Sequence, residues 1–224
     1  MLAISGLTKG SGKTALFRDV CLSLSHNQRV GLIGPPRSGK SALLRIILGL
    51  ENYERGDISI DTCAWFGYLP QDTVPPCDFT VGDVLDRAQE DFKIMRSMKR
   101  RRQDQVPESA RREVLAGVQL PDIPAGAKMR TLRLDEQRRI WMANLFLAQP
   151  DVLVLDDPTQ QLTVPVLDWL DYFLRRYPGT LIVASNDRSL LSAVTNIVWE
   201  IVPEQRTVRE YSRRPQLVSL AKIR

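Results

Sequence analysis

A chain of 224 residues, 43% hydrophobic and 25% charged, has the make-up of an ordinary globular protein, long enough for one domain with a subdomain. No apolar run approaches the ~18 residues of a membrane span. The three scattered cysteines, Cys21, Cys63 and Cys77, make neither a disulfide framework nor a metal knuckle. A net charge of +5 leans towards an anionic partner, and the single histidine, His26, excludes any mechanism needing one elsewhere. The start, Met1-Leu2-Ala3-Ile4-Ser5, lacks the basic head and apolar core of a signal peptide, so a cytoplasmic location is expected.

In chain order, Leu2 to Ser5, Val20 to Leu24 and Arg29 to Ile33 read as short strands: an antiparallel flap leading into a first core strand. Gly12-Lys13-Thr14 lacks the glycine its pattern needs at position 7, which is Leu7, so Gly10 to Lys13 reads as a hairpin turn. Next comes Gly34-Pro35-Pro36-Arg37-Ser38-Gly39-Lys40-Ser41, which fits G-x-x-x-x-G-K-[ST] at every fixed position. A buried strand enters it and a helix, Gly39 to Leu50, leaves it. Glycines let consecutive N–H groups face an anion, and the helix N-terminus adds partial positive charge. The pattern assigns Lys40 to the β- and γ-phosphates of a nucleotide and the Ser41 hydroxyl to Mg2+.

Asp57 to Ile60 and Phe66 to Leu69 read as further strands. From Phe79 to Leu134 the character turns helical, with Thr80 as a cap, a basic run at Lys99 to Arg102 and a second helix over Glu108 to Gly117. The basic run reads as a solvated helical face, because it carries no aromatic residue to stack on bases. Asp135 to Leu147 is predicted helical, with Arg138 and Arg139 on its polar side. Val152 to Leu155, ending in Asp156-Asp157-Pro158, reads as a strand covered on both faces. Helix Val164 to Tyr177, strand Thr180 to Ala184, a helix from Arg188, and a hairpin of Ile197 to Val202 with Thr207 to Tyr211 follow. The tail from Ser212 to Arg224 is basic and poorly patterned. The predicted class is α/β: a mostly parallel core sheet (1–78 and 135–211) with an antiparallel flap and an inserted helical subdomain (79–134), together one domain.

Four stretches in this order resemble ABC-type ATPase domains: residues 34–41, Tyr68-Leu69-Pro70-Gln71, Leu132 to Arg139, and Val152 to Pro158. The resemblance implies a P-loop NTPase of ABC type that binds ATP with Mg2+ between paired domains. It places Gln71 as the glutamine that senses Mg2+ and couples to partners, and Asp156 as the Walker-B aspartate that holds Mg2+. It places Asp157 as the catalytic carboxylate, usually glutamate, and Asn186 where a switch histidine stands. The departures gather at functional points. The signature Leu-Ser-Gly-Gly-Gln/Glu is here Leu132-Arg133-Leu134-Asp135-Glu136, with bulk and negative charge where glycine would admit a phosphate. The Asn-His-Leu-Asp loop reads Gln160-Gln161-Leu162-Thr163. The adenine-stacking aromatic falls near Ser11, with Phe17 several residues away. Such a set implies a chain that binds nucleotide and hydrolyses it weakly.

The wording Gly67-Tyr68-Leu69-Pro70-Gln71 and Leu155 to Thr159 is similar to the ABC-F branch, which acts at ribosomes and carries two such domains. One short domain looks more like the ATP-binding subunit of a transporter, such as a capsular-polysaccharide exporter. Three functions are therefore expected to compete. The first is a transporter subunit, peripheral on the inner face of the plasma membrane and paired with an integral membrane subunit and a second ABC domain. The second is a factor associated with ribosomes or RNA. The third is a non-catalytic scaffold whose dimerisation ATP controls.

Overall fold

The computed structural model describes residues 1–10, 15–72, 78–98, 106–120 and 123–212, with the backbone alone described at 94–98. The turn at Gly10 to Lys13 beyond its first residue, Ser11, Cys77, the basic run 99–102 and the tail beyond Ser212 lie outside the described residues.

The described residues group into two compact units. The first comprises Met1–Ala64, Val152–Pro158 and the chain from Pro178 onwards. Its flap is a three-stranded antiparallel sheet in which β1 (Leu2–Lys9) lies between β2 (Phe17–Leu24) and β4 (Arg55–Ile60), while β3 (Arg29–Ile33) enters the core sheet. Alternation along β2 puts Val20, Leu22 and Leu24 on the buried face, the period-2 signal of a half-covered strand, and an irregularity at Asp19 (φ +50) returns Phe17 to that face. β1 runs four residues beyond the expected Ser5. Gly6 is at φ +63, and a Cβ at Gly56 would sit 2.7 Å from the Gly6 backbone, so two glycines allow the irregular pairing that continues to Lys9.

Core strands of this unit run in the order β6 (Val152–Asp156), β7 (Thr180–Ala184), β3, β8 (Ile197–Val202), β9 (Thr207–Ser212). β6, β7, β3 and β8 are parallel, and β9 turns back against β8. Every residue of β6 and β7 is buried, which is why both read as unbroken apolar runs. α1 (Lys40–Ile47) packs near β6. α6 (Arg188–Val194) approaches β3 closely because position 31 is glycine, where a Cβ would meet Thr195 Oγ1 at 3.0 Å and Leu191 Cδ2 at 3.3 Å.

The second unit comprises Trp65–Asp151 and Thr159–Tyr177. It contains β5 (Phe66–Leu69), α2 (Val81–Met98), α3 (Glu108–Gly117), α4 (Leu134–Ala148) and α5 (Val164–Arg176), with a short 3-10 turn at Met129–Thr131. α2 and α3 pack on α4. Thr80 caps α2 as predicted: its Oγ1 accepts from Asp83 N–H at 3.2 Å, and Asp83 Oδ2 accepts from Thr80 N–H at 2.8 Å. The Thr80 N–H, joined by the Thr80 hydroxyl donating to the same oxygen at 2.7 Å, holds the Asp83 carboxyl below its ordinary pKa. Phe146, Trp169, Phe173 and Tyr177 form a chain of ring contacts between α4 and α5, with centroids 4.4 to 6.1 Å apart.

One expectation for α4 is corrected. Arg138 and Arg139 are not on a polar, solvated side: they are 2% and 7% exposed. Arg138 Nη1 donates to Pro70 O (3.2 Å) and Gln71 O (2.7 Å); Arg139 Nη1 donates to Val118 O (3.2 Å) and Gln119 O (3.0 Å). Loop carbonyls, whose own strand or helix ends leave them unpaired, accept from Nη1 of each guanidinium inside the unit, while the buried Nε of Arg139 has no hydrogen-bond partner among the described residues.

Candidate phosphate-binding site

Parallel strands place their carboxyl ends on one edge of the sheet, where open α/β folds bind ligands. Here the register aligns Leu32 of β3 with Ala184 of β7, and Ala184 with Asp156 of β6. The loop after β3, the Ser185–Asn186 turn after β7 and the Asp156–Asp157 pair after β6 therefore leave the sheet at the same level.

The loop from Gly34 to Gly39 is shaped by its glycines. A Cβ at Gly34 would come within 2.7 Å of Ser38 Oγ and 3.1 Å of Ile201 Cβ. Gly39 is at φ +102 and caps α1, with Leu16 and Phe17 beneath it. Phe17 is fully buried there, so it floors the loop and offers no open ring for stacking. The first turn of α1 carries no acidic residue, which leaves its N-terminal dipole uncancelled.

Lys40 is 7% exposed, and its ammonium points back into the loop. Nζ donates to Gly34 O (2.8 Å), Pro35 O (3.2 Å) and Asn186 Oδ1 (3.4 Å), which uses all three of its protons. Ser38 Oγ is buried and has no hydrogen-bond partner among the described residues. Ser41 follows at the second position of α1, half-buried. Asp156 is 1% exposed at the end of β6. Asp157 is 8% exposed, sits at φ +45, and donates its N–H to Ala184 O at 2.8 Å, a strained backbone fixed to the neighbouring strand. A cleft of about 350 Å3 opens beside the loop, with Pro35, Pro36, Asn186, Arg188 and Glu200 on its walls.

A caged cation, an unpartnered buried hydroxyl and a bare helix N-terminus together fit an anion with oxygen acceptors. A hydroxyl at Ser41 and a carboxylate at Asp156 are the hard oxygen donors that suit Mg2+, which takes few protein ligands beside substrate phosphates.

The structure thus brings Gly34 to Ser41, Asp156, Asp157 and Asn186 to one edge of the first unit. Gln71 belongs to the second unit, where its carbonyl is held by Arg138. The stretch Leu132 to Glu136 is there too. Leu134 is 62% exposed at the start of α4, and the Arg133 guanidinium lies 3.2 Å from Asp135 and 3.5 Å from Glu136, so its charge is already answered. The contact the sequence reading missed is Lys40 to Asn186, 146 residues apart; only the shared G-K-S and S-N-D positions hinted at it.

Comparison with known proteins shows the family. The ABC transporter family profile matches residues 17–160, more than half of the chain. The energy-dependent translational throttle protein EttA of Mycobacterium tuberculosis is 30% identical over 219 residues, covering 86% of this chain and 39% of that protein. The ribosome protection protein VmlR of Bacillus subtilis is 30% identical over 224 residues, covering 95% and 38%. The chain therefore spans well under half the length of these relatives. Among solved structures, a dimeric ATP-binding cassette in a post-hydrolysis state bound to ADP and Pi superimposes with a TM-score of 0.69 at 21% identity, covering 96% of this chain and 99% of that one.

Proposed function

Since the chain belongs to the ABC transporter family as an ATP-binding domain, we propose that it seats Mg-ATP on residues 34–41, pairs with a second such domain, and turns over slowly. The observation that carries this is Lys40, buried and held by the loop it would use, beside the unpartnered Ser38 hydroxyl. In this reading the N–H groups at the start of α1 and the Lys40 ammonium hold the phosphates. Ser41 and Asp156 hold Mg2+, which neutralises charge on the phosphate oxygens when bound. Asn186 Oδ1 gives up its bond to Lys40 as phosphate enters, and its amide turns to the terminal phosphate as donor. Gln71 senses the metal and reports to a partner.

Asp157 takes the part of the carboxylate that orients water. Its side chain is one methylene shorter than glutamate, and a misplacement of about 1 Å can cost ~10²-fold in rate. Slow turnover is further supported by the α4 start. A partner's phosphate arriving there meets Leu134 and two carboxylates already paired with Arg133, not glycine N–H groups. The dimeric state of the superimposed cassette supports pairing.

Thermal shift tests the nucleotide step. Mg-ATP at 100 times its Kd is expected to stabilise the protein by about 2.7 kcal/mol, and K40M is expected to lose that shift. An equal shift in K40M would overturn the assignment.

For the partner, the ABC transporter family description supports an ATP-binding subunit docked on an integral membrane transporter; the cytoplasmic location and polysaccharide export are part of the proposal and rest on the sequence resemblance. A second reading is favoured by the printed roles of EttA and VmlR, a translational throttle and a ribosome protection protein: association with ribosomes or RNA. Fractionating tagged protein from native lysate with ATP separates the two. A membrane pool carrying a multispanning partner supports the first. Cosedimentation with ribosomes that salt releases, as counterion exchange requires, supports the second.

A further inference from the structure

The phosphate loop is short of donors at its mouth. Pro35 and Pro36 carry no N–H. Ser38 N–H is spent within the loop, donating to Pro35 O at 3.2 Å. From position 35 to 38, only the N–H of Arg37 remains for an anion, and all three protons of Lys40 are already engaged. Yet the loop fits an anion by its helix start and by the buried, unpartnered Ser38 hydroxyl.

Arg37 stands in the middle of this donor gap. Its backbone is at φ +62, a left-handed conformation that glycine adopts freely and an arginine adopts only at a cost. Its side chain is exposed and makes no hydrogen bond or ion pair among the described residues. Nothing within the loop therefore explains why an arginine occupies a position that favours glycine. A guanidinium offers five donors in a fixed fork suited to phosphate oxygens.

We infer that Arg37 is a phosphate-binding residue: its guanidinium closes on the polyphosphate chain of the nucleotide and supplies the donors that Pro35 and Pro36 remove. This deepens the nucleotide site proposed above and rests on it. The arginine is held in a strained backbone because the side chain, not the turn, is what the site uses. Proline at two successive positions also stiffens the approach, so that the guanidinium is presented at the loop mouth.

The test compares R37G, R37Q and R37K with the wild type by apo thermal melting and by calorimetric binding of Mg-ATP and Mg-ADP. R37G is expected to melt higher than the wild type by about 2–4 °C, because the strain is relieved. Its Mg-ATP affinity is expected to fall about ten-fold or more, the scale of a lost charge-assisted contact. R37Q keeps the strain and loses the charge, so it weakens binding with no gain in melting temperature. R37K keeps the charge and recovers part of the affinity. Opposite movement of stability and affinity in R37G is the result that a merely structural arginine does not produce. If R37G and R37Q bind Mg-ATP as tightly as the wild type, Arg37 has no such role, while the site itself stands. If the wild type binds neither nucleotide, the proposed function and this inference fall together.

Discussion

The side chains at the sheet edge are matched in charge and reach, so single atoms decide their chemistry. Asp157 illustrates this. Its N–H is pinned to Ala184 O and its φ is +45, which fixes where the carboxylate starts. Lengthening it by one methylene in D157E restores the reach of glutamate without moving the backbone. Steady-state ATP hydrolysis is expected to rise by about ten-fold or more, within the ~10²-fold that a 1 Å displacement controls. D157N removes the proposed water-orienting carboxylate and is expected to bring hydrolysis to background while Mg-ATP binding persists. Unchanged turnover in D157N would show that Asp157 takes no part. Glu51 supplies a pH-dependent case. Burial raises its pKa, but hydrogen bonds and charge from Lys9 (3.0 Å) and Arg45 (2.9 Å) prevail and lower it overall. A depressed carboxylate stabilises the fold above its unfolded pKa and loses that contribution as pH falls through the folded value. The urea midpoint of the wild type is therefore expected to drop on acidification more than that of E51Q; parallel curves would rule the link out.

At the scale of elements, α4 organises the second unit. It carries the buried Arg138 and Arg139, receives α2 and α3, and lends Phe146 to the ring cluster with Trp169. Replacing Arg138 by alanine leaves the Pro70 and Gln71 carbonyls without their donor. A loss of about 1–3 kcal/mol is expected in urea unfolding, the cost of leaving buried carbonyls without their donor, with faster amide exchange around Gln71. R138K, which keeps the charge but carries its donors on an ammonium at the end of an unbranched stem, is expected to recover only part of it. Stability of R138A within 0.5 kcal/mol of the wild type would contradict this account, since surface changes fall about there. Gly117 is a second constraint: a Cβ there would lie 2.1 Å from Trp169, so α3 and the indole meet only because the side chain is absent.

These elements show what was legible beforehand. α3 and β7 match their sequence-based bounds, because Pro107 marks the start of a periodic run and the Tyr177-Pro178-Gly179 turn the start of an unbroken apolar one. The turn from Gly34 to Gly39 and the helix that leaves it were legible from spacing alone, since backbone curvature and a helix start need those residue types locally. The burial of Arg138 and Arg139 was not, because periodicity sorts charged side chains to water and cannot see the carbonyls of Pro70, Gln71, Val118 and Gln119 waiting for them. The same blindness to distant partners hid the Lys40–Asn186 contact.

At the scale of the whole molecule, the path of the chain matters. It passes between the units after Ala64, Asp151, Pro158 and Tyr177. Neither unit is a continuous stretch, and the β6 strand of the first unit cannot reach its place in the sheet until the segment Trp65–Asp151 has been traversed. Closing so long a loop is cheaper when its residues are already compact, because closure entropy grows with effective loop length. Folding of the two units is thus expected to be coupled, as the one-domain reading requires. Tryptophans provide the measurement: Trp199 is buried in the first unit, while Trp65, Trp141 and Trp169 belong to the second. A variant retaining only Trp199 and another retaining only Trp169 are expected to give coincident urea transitions once each is compared with its own circular dichroism. Saturating Mg-ATP, which engages the first unit, is expected to move both by the same amount, since a ligand of the folded state stabilises everything that unfolds with it. Two separated transitions, with only the Trp199 signal responding to nucleotide, would make the units independent. It would also leave the second unit's Gln71 loop without the energetic link to the phosphate site that a nucleotide-driven partner switch needs.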